Sequence, residues 1–166
     1  MDKSIETLKN MILQRGYTIS EEDEDKIIGI NENNEFIAVF TTVVDKFNVD
    51  RIKEKTAMLN TLNINHCIII YHNVTSIAKK LIENSIEKKF ELFTYNELQY
   101  NITQHRLVPT HIRLSDIETK EFKNKYGVKF PNILSTDPVS RFYNFQKGDV
   151  IKIIRNGYIT HRIVKD

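Results

Sequence analysis

Five histidines, one cysteine and 22 carboxylates are the side chains of this 166-residue chain that could do chemistry. A zinc centre needs three or four Cys, His or carboxylate ligands at short, defined spacings. His66, His72, His105, His111 and His161 make no such pairing with one another or with Cys67. His105 and His111 flank Pro109 in an arrangement that matches no metal pattern. No metal and no cofactor is expected. The glycines, at 16, 29, 127, 148 and 157, form no phosphate-cradling loop. No Gly-x-Ser-x-Gly elbow occurs either. Cys67 sits in the apolar run HCIIIY, so it reads as a small buried hydrophobe rather than a nucleophile.

A metal-dependent nuclease is the one enzymatic alternative. It needs two or three carboxylates, with a lysine, converging at a strand end to hold Mg²⁺ against a phosphate. Glu35 and Asp45 fall only at the ends of the strand-like run from Phe36 to Val44, with Asp45-Lys46 read as a loop pair, and HCIIIY contributes no carboxylate. The expected set of catalytic residues is therefore empty, and the chain reads as a binding or assembly module.

The elements that position these residues fall into two blocks. Residues 1–97 carry 12 Lys/Arg and 16 Asp/Glu, a balance of −4, and residues 98–166 carry 12 and 6, a balance of +6. A basic half calls for an anionic partner, nucleic acid or an acidic protein surface, or is simply a solvated face. The single cysteine rules out an internal disulfide and points to a reducing compartment. Asp2, Glu6 and Lys9 interrupt any signal-like start, and Phe36–Val44 is far short of the ~20 apolar residues that cross a bilayer. A soluble intracellular protein without membrane contact is expected.

In the first block, Ile5, Leu8, Met11 and Ile12 recur at helical spacing over 3–15, and Gly16 is a stop. The acidic run 21–25 reads as a solvated loop or helix start. Residues 27–30 and 35–44 read as a hairpin around Asn31–Asn34. Asn48 caps a helix carrying Val49, Ile52, Leu59 and Leu62. HCIIIY is β-branched throughout, as in a strand covered on both faces. A helix over 75–87 is expected to place Ile77, Leu81, Ile82 and Ile86 on one side, and 90–93 is a short strand. Alternating strands and helices imply a three-layer-like α/β domain over 1–97.

The second block, 98–166, is expected to be a small mixed α+β domain. Ser115-x-x-Glu118 is a capping box before a helix with Ile117, Phe122 and Tyr126 inward and Gly127 as its stop. Asp137-Pro138 pairs a cap with a first-turn proline. Asn156-Gly157 is a type I′ hairpin turn that sets Ile154 opposite Ile159 and Lys152 opposite His161.

Three ordered motifs in this block carry a resemblance. NITQHRLVPTH (101–111), DPVSRFY (137–143) and KGDVIKIIR (147–155), closed by Tyr158–Val164, resemble the assembly domain of the shared fifth-largest subunit of eukaryotic RNA polymerases, a domain that stands alone as a separate small polypeptide of the archaeal enzyme. The first block is similar at Arg15-Gly16-Tyr17 and at Ile68–Ile70 followed by Val74–Lys79. The family's loop proline is absent here, where Ser76 and Ile77 follow Thr75, and the closing hairpin is cut to a two-residue turn. An Asn- and Ile-rich, trimmed version of this kind suits a large DNA virus with its own polymerase, and an AT-rich protist equally.

The resemblance implies a non-catalytic polymerase subunit. Its C-terminal domain packs on the largest subunit, in the neighbourhood of the sixth small shared subunit. Its N-terminal domain forms part of the lower jaw that downstream duplex DNA enters. Candidate interface residues are His105, Pro109, His111, Asp137, Pro138, Arg141, Tyr143, Lys152, Arg155 and Arg162. Phe142 is either core or interface. Thr75, Ser76, Lys79 and Lys80 are the candidate DNA contacts, and Thr75 or Ser76 reads equally as a plain helix cap. No homo-oligomer is implied. The expected place is the nucleus for a cellular protein, and the host cytoplasm or virion for a viral one.

Overall fold

A computed structural model describes residues 2–166. The chain divides into two compact units, one ending at Tyr100 and the other spanning Asn101–Asp166.

The first unit is built on a five-stranded sheet in the order β1-β2-β3-β4-β5. Helix α1 (Lys3–Gln14) comes first, capped by Asp2, whose side chain accepts from the Ser4 N–H. It stops at Gly16, which takes φ +87. Strands β1 (Thr18–Glu22), β2 (Lys26–Ile30) and β3 (Phe36–Phe47) pair antiparallel. Helix α2 (Val49–Leu62) then crosses to β4 (His66–Val74), and α3 (Ser76–Glu83) crosses to β5 (Lys89–Thr94). Both crossovers join parallel strands, as a helical connection requires.

Alternation along β3 and β4 separates two faces. Ala38, Phe40, Cys67 and Ile69 pack with Leu59 of α2 and Ala78 of α3. Ile37, Val39, Ile68 and Ile70 point the other way and are as fully buried. Covered on both faces, β4 is apolar from Cys67 to Ile70, which is why that stretch reads CIII. Burial pushes the Cys67 thiol far up, so it stays a protonated core group.

Three expectations for this unit need correction. The acidic run 21–25 is not a loop throughout, because Glu21 and Glu22 belong to edge strand β1, where polar side chains face water. Asp45 lies inside β3 rather than in a loop, because that strand continues to Phe47. The helix expected over 75–87 ends at Glu83. Only Ala78 is buried there, with Ile82 packed beside it, while Ile77 (66% exposed), Leu81 (47%) and Ile86 face solvent.

The second unit holds a four-stranded sheet in the order β6-β8-β9-β7. Its strands are β6 (Thr110–Arg113), β7 (Asn132–Leu134), β8 (Val150–Arg155) and β9 (Tyr158–Lys165). Asn156 and Gly157 take φ 46 and 83, as a type I′ turn demands, and the register is Ile154↔Ile159 and Lys152↔His161. One face of the sheet supplies Ile133, Ile151, Ile153 and Val164 to a core closed by Val139 and Phe145. Val139 belongs to α5 (Pro138–Tyr143), with Asp137 as its cap and proline in the first turn. Helix α4 (Asp116–Tyr126) has its capping box at Ser115 and Glu118. It buries no residue fully, and Ile117 and Tyr126, expected inward, are exposed. Phe122 alone of the three turns in, resting on Phe130 and His161 at ring distances of 5.2 and 4.4 Å. Among the described residues no helix is long and apolar enough to cross a membrane.

Candidate functional site

Two surfaces carry the residues singled out by sequence. The first is the start of α3. The Thr75 N–H donates to the Phe47 carbonyl at 3.0 Å, which ties the loop to the end of β3. The Thr75 hydroxyl accepts from the Ala78 N–H at 3.3 Å, so this residue is the helix cap. Ser76, Lys79 and Lys80 are exposed. At spacings of three and four they share one side of the helix. Free backbone N–H groups, a hydroxyl and two ammonium groups suit a phosphate oxygen and carry no base-reading geometry.

The second surface lies along the rim of the C-terminal sheet. The His111 Nδ1 lies 2.7 Å from the Pro109 carbonyl, which can only accept, so this nitrogen carries the proton. Burial lowers the His111 pKa, the Pro109 bond and Asp137 oppose that, and Arg162 and Arg155 reinforce it. Five expected interface residues, Pro109, His111, Asp137, Arg155 and Arg162, thus share one electrostatic neighbourhood. Alternation places His111, Arg113 and Arg162 on the same sheet face, whereas Lys152 points to the opposite face beside His161 and does not join them. Tyr143 stacks on Phe145 at 5.2 Å, and burial raises its pKa. Phe142 is core, at 3% exposure. His105 is exposed, and its Nδ1 accepts from the Leu107 N–H at 3.3 Å, shaping the turn before β6. Pro138 is exposed and Arg141 half-buried on α5.

Among the described residues no group of three or more His, Cys, Asp or Glu side chains could hold a metal ion. Asp45 is exposed on β3 without a carboxylate cluster, and the nuclease alternative has no support.

The comparisons with known proteins bear on both units. The family described as RNA polymerase Rpb5, C-terminal domain, matches residues 100–165. A putative DNA-directed RNA polymerase subunit, 454R of invertebrate iridescent virus 6, is 35% identical over 98% of both chains. The chain belongs to the Rpb5 family of RNA polymerase subunits. Within this family, the subunit rpabc1 of DNA-directed RNA polymerases I, II and III from Dictyostelium discoideum is 39% identical over 76% of this chain and 71% of its own. The corresponding Caenorhabditis elegans subunit is 31% identical over 99% and 84%. The family match spans the second unit, and the viral and nematode relatives extend through the first. The Rpb5 resemblance read from NITQHRLVPTH, DPVSRFY and KGDVIKIIR therefore holds.

One cluster escaped the sequence analysis. Arg15, just past α1, reaches Glu91 on β5 with both terminal nitrogens, each contact 2.8 Å. The His66 Nε2 lies 2.5 Å from the same carboxylate. Burial alone would raise the Glu91 pKa, but the Arg15 guanidinium and the His66 ring overcome it and hold the carboxyl well below the usual range. Ionised Glu91 can only accept, so the His66 Nε2 carries a proton. A lone carboxylate inside the apolar run Phe90–Phe93 was the available signal, since a buried charge demands a partner.

Proposed function

We propose that this chain is a non-catalytic subunit of a multisubunit DNA-directed RNA polymerase, anchored by its C-terminal unit to the largest subunit, near the sixth small shared subunit. The observation that carries the reading is that proteins named as polymerase subunits match both units in order. The rim around His111, Asp137, Arg155 and Arg162 supports it, because Arg and aromatic groups at the edge of a rigid sheet are the types that anchor protein interfaces.

The N-terminal unit forms part of the lower jaw. Thr75 and Ser76 at the start of α3, with Lys79 and Lys80, meet the backbone of downstream duplex DNA. Such contact is electrostatic, independent of base sequence and weakened by salt. The chain acts as one copy per polymerase. It works in the nucleus if its source is a cell, and in the viral factory or virion if its source is a large DNA virus.

Affinity purification of the tagged full chain tests this. The largest subunit should come with it, and Lys79→Ala with Lys80→Ala should leave that recovery intact while reducing salt-sensitive crosslinking to downstream DNA. Unchanged crosslinking removes the jaw contact. Absence of every polymerase subunit from the purified material removes the whole reading.

A further inference from the structure

Strand β6 is only four residues long and lies at the edge of the second sheet, paired with β8 alone. Just beyond it, the Leu114 N–H donates to the Val150 carbonyl at 3.0 Å. Antiparallel pairing alternates bonded and non-bonded residues. Counting back from Leu114, Ile112 and Thr110 turn their peptide groups toward β8. His111 and Arg113 turn theirs outward, to an edge that no strand among the described residues covers. An open edge of this kind is a template for another strand.

The side chains along that edge are sorted by face. Ile112 shares its face with Ile154 and Ile159, through the pairs Ile112↔Lys152 and Ile154↔Ile159. Helix α4 covers this face at its other end, where Phe122 meets His161. Ile112 is 44% exposed at the open edge, diagonal to Ile154 and with Lys152 directly opposite it, and Ile159 is 55% exposed on the same face. On the opposite face stand His111 and Arg113, with Arg113 in one row with Arg162 across Ile151. Arg113 has Asp149 at 3.8 Å and leaves about half its side chain in water.

We infer that β6 receives an extended segment of a partner protein as a fifth strand, a segment that alternates apolar and acidic residues. This rests on the polymerase-subunit reading, so the segment belongs to the largest subunit. Backbone bonds to His111 and Arg113 give the grip, and alternation decides the sequence. Every second guest side chain lands beside Ile112, and those between land beside Arg113 and His111, where carboxylates are favoured. The balance of +6 over residues 98–166 selects the same kind of guest. A second copy of this chain fits poorly, because pairing β6 with β6 antiparallel would bring the cationic rows together.

Hydrogen exchange on the full chain, free and in the assembled polymerase, tests this. On assembly the amides of His111 and Arg113 should slow about tenfold or more, while Ile112, already bonded to β8, changes little. Arg113→Pro removes an outward N–H and spares the β6–β8 ladder. With Ile112→Lys as a second variant, it should lower recovery of the largest subunit at an unchanged melting temperature of the free chain. Assembly with fast exchange at His111 and Arg113 overturns the added strand and leaves the polymerase reading standing. Protection of both amides in a dimer of the free chain replaces the partner with a second copy and overturns it too. Failure to enter any polymerase removes both.

Discussion

Glu91 is a buried carboxylate held ionised by two partners, Arg15 and His66. Its partner Arg15 is only 4% exposed at the side chain, so neither charge has water to fall back on. Glu91→Gln leaves a guanidinium buried without a counter-charge, which costs about 3–5 kcal/mol. Denaturant unfolding of the first unit should read that loss. The pH dependence has a definite sign. The folded carboxyl titrates below its ordinary value of 4.5, so the stabilisation is complete above that pH. It is lost as pH falls toward about 2, and the Gln variant should show a shallower slope there. At this scale the sequence was half legible. Arg15 stood out within Arg-Gly-Tyr, and Cys67 was visibly core. The pairing of Arg15 with Glu91 joins positions 76 apart, which no local pattern encodes.

Elements were legible where their signals are local. The Asn156-Gly157 turn fixes its own register, and Ser115, Asn48 and Asp137 fix the helix starts they cap. Inward faces were harder, because they depend on what a helix meets. Ile117 and Tyr126 of α4 recur as an apolar stripe would, yet the ring contacts lie at Phe130, before β7, and at His161 on β9, and Phe122 makes both. Strands β6 and β7 are too short to show a period, and β1 is too acidic to read as a strand without its partner β2. Helix α4 is held by its capping box, by Phe122, and by Lys123 on the Gly148 carbonyl at 2.7 Å. Ser115→Ala removes a cap worth about 1 kcal/mol. Amide exchange in α4 should then quicken severalfold, with β8 and β9 unchanged. Equal acceleration throughout the unit would mean that α4 is part of the cooperative core.

At the scale of the whole molecule, net charge and the proposed function assign nucleic acid to different units. The basic half looks like the nucleic-acid side, and three of its arginines, Arg113, Arg155 and Arg162, lie on the sheet face that carries the proposed protein anchor. The proposed DNA contact lies instead in the unit with a balance of −4, at four residues around the start of α3. The proposed division of roles comes from the family motifs rather than from composition. Crosslinking with mass spectrometry on the assembled polymerase tests the anchor most directly. Lys147, Lys152 and Lys165 of the C-terminal unit should link to the largest subunit, with few links to it from Lys79 and Lys80. Links to the largest subunit from the N-terminal unit alone would contradict the account.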